Sequence, residues 1–460
     1  MLFTTLNFVI FLIVVLTLFY VLPKLWRRYL LLAASLFFYM VWNAKFVVLI
    51  LGLITIDYFA ALWIVHKEGQ ARRTALLISL CANIGLLGYF KYTNFLRETF
   101  LPILHPGLAV RPLDIILPLG ISFHTFQSIS YVIDVYRGEQ PAIKSYVDYA
   151  LFVAFFPQLV AGPIVRAKEF FEDYFNWRPP TGEEWQRGFA MILTGYVKKL
   201  IFADQFSLVA DRYFTNPAAF PGVLPAWSGA IAFALQIFFD FSGYTDIAIG
   251  IALLFGFHFP ENFRRPYLAA SVTEFWRRWH MTLSRWLRDY IYISLGGNRR
   301  GKLRTYANLM LTMLLGGLWH GASWNFVVWG GYHGAALAIE RAVWGREERK
   351  GWIRIPMALL TFGVVCVGWV FFRAKTLAAA LFVSGQMFSA SPGASLMTQT
   401  QIMLAITALA VALAEEYGTA LTRLTASPLW VRTAATAVAL LAIELFTASD
   451  SSIPFVYFQF

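Results

Sequence analysis

The sequence predicts an all-α integral membrane protein, a multi-span helical bundle of about eleven spans plus re-entrant or interfacial helices. Three observations carry this. Of 460 residues, 58% are hydrophobic and only 14% are charged, too few charges for a soluble surface of this size. Apolar runs approaching the ~20 residues of a bilayer span follow one another along the whole chain. The net charge of +12 is gathered into short basic stretches between those runs, the pattern of cytoplasmic loops rather than of a nucleic-acid surface.

The elements follow in order. Leu6 to Leu22 is a first span, closed by Pro23 and the basic KLWRR. No basic residues precede this run and no small-residue cleavage site follows it, so it does not read as a cleavable signal peptide. Tyr29 to Trp42 and Phe46 to Val65 form a helical pair, closed by HKEGQARR around Arg72 and Arg73. With both basic loops cytoplasmic, the N-terminus is external. Thr74 to Phe90 is a further span. Asp57 falls inside the third run and reads as a bundle-interior hydrogen-bonding group.

From Leu113 the pattern changes. ILPLGISFHTFQSISYVIDVYRG holds Pro118, Gly120, His124, Gln127 and Asp134, and so must face protein or water, not lipid. LFVAFFPQLVAGPIVR, with Pro157, Gly162 and Pro163, reads as a broken or re-entrant segment. Ala167 to Arg187 is a charged, Pro-containing cytoplasmic linker. Gly188 to Phe206 places Lys198 and Lys199 beside apolar residues, and Ala226 to Phe257 has the polar centre QIFFDFSGYTDIAIG. Residues 113–335 therefore form a polar, interrupted middle within a single membrane domain, 1–460. Conventional spans follow, at Ile355 to Phe372, Ile402 to Leu413 and Val431 to Phe446. No basic residue follows Arg432, which makes 447–460 an external tail.

The stretch Ser271 to Gly334 stands out. Its first half, SVTEFWRRWHMTLSRWLRDYIYISLGGNRR, begins with the S-x-x-E spacing of a capping box at Ser271 and Glu274. At helical spacing Phe275, Trp279, Leu283, Trp286, Tyr290 and Ile293 share one face, with Arg277, Arg278, Arg285 and Arg288 opposite and His280 at the border. Such a helix suits the membrane interface, with its basic face meeting a phosphate-bearing donor from the cytoplasm; the plainer alternative is a solvated charged face and a buried aromatic one. The second half, LMLTMLLGGLWHGASWNFVVWGGYHG, is apolar and glycine-rich around His320. Small residues let membrane helices approach closely, and an ionisable group at membrane depth is a functional candidate by default.

Several chemistries are excluded. No cluster of His, Cys and carboxylates has metal-ligand spacing, so no metal site is expected. There is no P-loop, dinucleotide fingerprint or G-x-S-x-G elbow. Cys81 and Cys366 lie far apart in apolar runs and read as free thiols. What remains is the pair His280 and His320. Imidazole is the natural general base near neutral pH, so acyl transfer from an anionic soluble donor is a reasonable chemistry. His124, His258 and His333 are read as structural.

FWRRWHMTLSRWLRDYIYISLGGNR followed by GGLWHGASWNFVVWGGYHG resembles the signature of the membrane-bound O-acyltransferase superfamily. The likeness is to its bacterial branch, which serves alginate, peptidoglycan and cellulose acetylation and teichoic-acid D-alanylation. PLGISFHTFQSISYVIDVYRG, FFPQLVAGPIVR and QIFFDFSGYTDIAIG resemble that branch too, so the likeness covers most of the chain. It implies a bundle around a central tunnel, with His320 as the catalytic histidine and His280 at the second active-site position. It also implies acetyl-coenzyme A as the donor, with no bound cofactor. Further implied are a bacterial inner-membrane location and a periplasmic or membrane-anchored partner of the serine-hydrolase-like SGNH type, which completes transfer to the polysaccharide. The terminal PFVYFQF resembles an aromatic motif of these relatives, which makes Tyr457 an acyl relay; the plainer alternative is an aromatic anchor at the interface. Two rivals of other classes are a polysaccharide or solute transporter, since broken helices with polar centres occur there as well, and a non-catalytic assembly scaffold.

Overall fold

The structure, a computed structural model, describes residues 1–107, 110–160, 162–345, 350–418, 423–424, 426–447 and 455–456. Every long element among them is a helix. Six described helices are long and apolar enough to cross a bilayer: Lys45–His66, Gly69–Leu104, Val223–Leu254, Gly351–Arg373, Gln399–Gly418 and Leu429–Phe446. The expectation of about eleven counted further apolar runs, which are helical as well but do not reach the same length and apolarity. Leu6–Val21 and Leu377–Gln386 are apolar but short. Lys24–Asn43 opens on Lys24, Arg27 and Arg28. The run expected to be broken is so, with Tyr146–Ala154 and Phe156–Leu159 separated at Phe155.

The chain divides into two compact units, one formed by Met1–Phe189 with Ala248–Pro260 and the other by Ala190–Ile247 with Glu261–Phe460. In the first, the polar segment expected to avoid lipid does so. Ile121–Arg137 is buried along almost its whole length, His124 included. Asp57 is buried and accepts from the Ser79 hydroxyl at 2.5 Å and the Asn83 amide at 2.8 Å, as an interior hydrogen-bonding group must. His258 is clasped between Asp173, 3.0 Å from Nδ1, and Glu184, 2.9 Å from Nε2. Burial alone would lower its pKa, but the two carboxylates hold it above the ordinary histidine value.

In the second unit, glycines decide how closely helices pack. Gly195, on helix Gly182–Tyr196, and Gly243, on helix Val223–Leu254, lie against each other's backbones. A Cβ on Gly195 would sit 2.5 Å from the Gly243 carbonyl oxygen, and one on Gly243 would sit 2.8 Å from that of Gly195. This approach brings Lys198 to Asp246 and Lys199 to Asp240. Lys302–His320 and Trp324–Trp344 form a tight antiparallel hairpin. Its contact is again backbone on backbone: a Cβ on Gly317 would strike the Phe326 carbonyl oxygen, and one on Gly330 would strike that of Met313.

The hairpin contact makes a discriminating prediction. Gly330→Ala forces the two helices apart and destabilises the protein by about 1–3 kcal/mol. Gly331→Ala, whose added carbon would meet only the Leu314 side chain at 3.6 Å, is tolerated. Thermal unfolding of both variants in detergent checks this; equal melting temperatures would contradict the close-packed hairpin.

Candidate functional site

The continuous amphipathic helix expected from Ser271 onward is interrupted. Helix Val272–Arg278 starts as predicted, with the Ser271 hydroxyl accepting from the Glu274 N–H at 3.0 Å. The Glu274 carboxylate reaches back to the Ala270 N–H at 2.8 Å. Glu340 accepts from the N–H groups of Val272 and Thr273, placing negative charge at the positive end of the helix. The helix then stops, Trp279 being extended and His280 left-handed at φ 43° and ψ 54°. Met281–Trp286 follows as a new helix, continued by a π-helical turn at Leu287–Tyr292.

The break has a physical cause that the periodicity does not reveal. A left-handed backbone is uncommon for any residue with a Cβ and persists only where the surroundings enforce it. Here the loop Asn262 to Arg265 enforces it. The Met281 N–H donates to the Asn262 carbonyl at 2.9 Å, and the Arg264 N–H donates to the Arg278 carbonyl at 2.9 Å. The turn drives the His280 side chain inward, where it is 0% exposed.

Asn262 also fixes the tautomer of His280. Its Oδ1 accepts from the Thr282 N–H at 3.1 Å and the Thr282 hydroxyl at 2.9 Å, and lies 3.1 Å from His280 Nδ1. A backbone N–H can only donate, so the amide atom facing it is the oxygen. Nδ1 therefore carries the proton, and Nε2 carries the lone pair in the neutral ring. Burial pushes the imidazole pKa down to about 3, which keeps the ring neutral. Asn262 gives no signal in the sequence beyond being one polar residue in PENFRRPY.

His320 ends the first helix of the hairpin, at the extended Gly321. It is 5% exposed and sits among Trp319, Trp329 and Phe372, with ring centroids 4.9, 5.1 and 5.2 Å away. His280 packs edge-on to Phe241 at 4.7 Å. The two imidazoles meet with centroids 6.5 Å apart. The two halves of the stretch thus contribute one histidine each to a single aromatic enclosure.

A cavity of about 810 Å³ has six arginines in its wall, Arg264, Arg277, Arg278, Arg288, Arg341 and Arg354; neither His280 nor His320 is among its lining residues. Its wall also includes Leu309, Thr312 and Met313. At helical spacing these residues share a face with Gly316 and His320, so the cavity follows the side of the helix that ends in the histidine. Trp276, also in the wall, contacts Trp329 at 5.6 Å, and Trp329 contacts His320. Of the four arginines expected to meet a donor, Arg277 and Arg288 are exposed and line the cavity, Arg288 while paired with its neighbour Asp289 at 2.6 Å. Arg278 lines it too, but its guanidinium is committed, pairing with Glu416 at 2.8 Å and Glu274 at 2.7 Å. Burial would raise the pKa of Glu274, yet the Ala270 N–H and the guanidinium groups of Arg354 and Arg278 hold it below the ordinary value. Arg285 is not among the lining residues. Sequence reasoning missed Arg264, Arg341 and Arg354 because they lie outside the helix it singled out. Tyr457 lies outside the described residues.

A model of the MBOAT, membrane-bound O-acyltransferase, family matches residues 139–384. The chain is 46% identical to the probable alginate O-acetylase AlgI of Pseudomonas putida, across 83% of this chain and 78% of that protein. It is 41% identical to the peptidoglycan O-acetyltransferase of Helicobacter pylori, across 78% and 73%. It is 30% identical to the teichoic acid D-alanyltransferase of Streptococcus thermophilus, across 58% and 70%.

Asn262→Leu strips His280 Nδ1 and both Thr282 donors of their shared acceptor. An unsatisfied buried donor costs about 1–3 kcal/mol, so this variant unfolds at markedly lower temperature than the parent. Unchanged stability would mean that Oδ1 is not what holds His280.

Proposed function

The chain belongs to the membrane-bound O-acyltransferase family. From that premise we propose that it moves an acetyl group from cytoplasmic acetyl-coenzyme A across the inner membrane, for O-acetylation of an exported polysaccharide such as alginate. The observation that carries this reading is the meeting of His280 and His320, centroids 6.5 Å apart, in a unit that also holds an arginine-walled cavity. Peptidoglycan is the second reading for the acceptor, favoured by the 41% identity to the Helicobacter pylori peptidoglycan O-acetyltransferase.

The donor's phosphates rest against Arg277 and Arg288, with Arg264 and Arg341 in the same wall. Arg278 keeps that wall in place through Glu416 and Glu274. The acyl arm runs along the Leu309–Met313 face toward His320. His320 takes the proton of an acceptor hydroxyl as its oxygen attacks the thioester carbonyl. The carbon–sulfur bond then breaks, the thiolate leaves with the proton, and an oxygen ester remains. His280 stays neutral and orients the acceptor hydroxyl or the developing oxyanion.

The acceptor on the far side is the phenol of Tyr457, from which an SGNH-type partner moves the acetyl group to the polymer. The burial of Phe455 and Val456, at 2% and 1% exposure, supports this role over that of a lipid-facing anchor. Neither a transporter nor a scaffold needs two histidines enclosed together.

A general base contributes ~10²- to 10⁴-fold. His320→Ala therefore lowers release of coenzyme A from acetyl-coenzyme A by about 10²-fold or more, assayed on purified protein in nanodiscs. A folded His320→Ala protein with full turnover would overturn the assignment.

A further inference from the structure

The second unit holds an ion cluster away from the histidines. Lys199 is buried and its ammonium lies 2.8 Å from Asp204 and 2.8 Å from Asp240. Asp240 is 2% exposed. Its first carboxylate oxygen faces Lys199, and its second accepts the backbone N–H of Val456 at 2.6 Å. The residue before, Phe455, stacks on Tyr244 at 4.9 Å and contacts Phe241 at 5.7 Å. Phe241 in turn packs on His280.

One stretch of helix Val223–Leu254 supplies the contacts to Phe455 and Val456. Asp240 gives the acceptor, Phe241 and Tyr244 give the ring shelf, and Gly243 lets the Lys199 backbone approach. Lys199 sits in a π-helical turn, Val197–Ala203, and such turns are frequent at functional sites. Stability does not account for the cluster, since a buried ion pair is commonly no better than packed apolar side chains. The best-attested use of such a group is to fix register. Register is what a carboxylate aimed at a single backbone N–H provides.

We propose that the Lys199–Asp240–Asp204 cluster is a seat for the chain's own segment at Phe455–Val456, with Asp240 as the positioning residue. The seat sets the register of the segment that leads to Tyr457, and it holds Phe455 one ring away from His280. The seat itself stands on these contacts; its use in acetyl transfer rests on the reading of Tyr457 given above.

The test places a reporter thiol by Val456→Cys in a Cys81→Ser background and follows its labelling by a membrane-impermeant maleimide. With the cluster intact, the introduced thiol is protected. Adding Lys199→Met/Asp240→Leu balances the charge but removes the acceptor, and the thiol then labels about tenfold faster or more, the scale of a lost charge-assisted hydrogen bond. Lys199→Met/Asp240→Asn keeps an acceptor and stays protected. Equal protection in all three would overturn the seat. With Val456→Ala as the control for the packing of the buried valine side chain, Val456→Pro deletes the same N–H. It lowers polymer acetylation where Val456→Ala does not, and equal acetylation in the two would count against the seat's role. Protection that depends on Asp240, together with full polymer acetylation by Tyr457→Phe, would leave the seat standing and overturn the relay.

Discussion

Backbone contact at glycine sets the geometry on which the rest depends. Where helices Lys302–His320 and Trp324–Trp344 cross, carbonyl oxygens occupy the space a Cβ would need at Gly317 and Gly330. Lipid tails are as apolar as leucine, so association in the bilayer relies on such close packing rather than on a hydrophobic gain. The hairpin is consequently closely packed, and His320 lies at the end of its first helix. The Gly195–Gly243 contact brings Lys199 to Asp240 in the same way. Both polar sites in this unit are reached through places where side chains have been removed.

The second constraint is satisfaction of buried polar atoms. A neutral imidazole needs an acceptor for its N–H, and unmet groups are costly in a low dielectric. Asn262 meets this need for His280 and in doing so chooses the tautomer. The left-handed turn at His280 is the backbone counterpart of that choice, since it points the ring toward His320 rather than to the helix border.

Much of this was legible in the sequence. The helical class, the cap at Ser271, the interior role of Asp57 and the lipid-averse character of Ile121–Arg137 followed from local pattern. The histidine pair stood out because glycines and tryptophans surround it. What escaped depends on remote partners. Periodicity runs smoothly through Phe275, Trp279 and Leu283, yet the helix breaks there because Asn262 captures the Met281 N–H. Arg278 reads as a free cation until Glu416 is found beside it. The span count of about eleven treated every apolar run alike, whereas six described helices have the length and apolarity to cross; the others are short, broken or charged at an end.

On the reading proposed above, the arginine-walled cavity delivers a thioester to the two histidines. The most direct measurement is a structure with a non-hydrolysable thioether analogue of acetyl-coenzyme A. Density is expected to run from Arg277 and Arg288, along the Leu309–Met313 face, to a sulfur in contact with His320 and His280. Density that occupies another cleft, or an acyl end remote from both imidazoles, would contradict that reading.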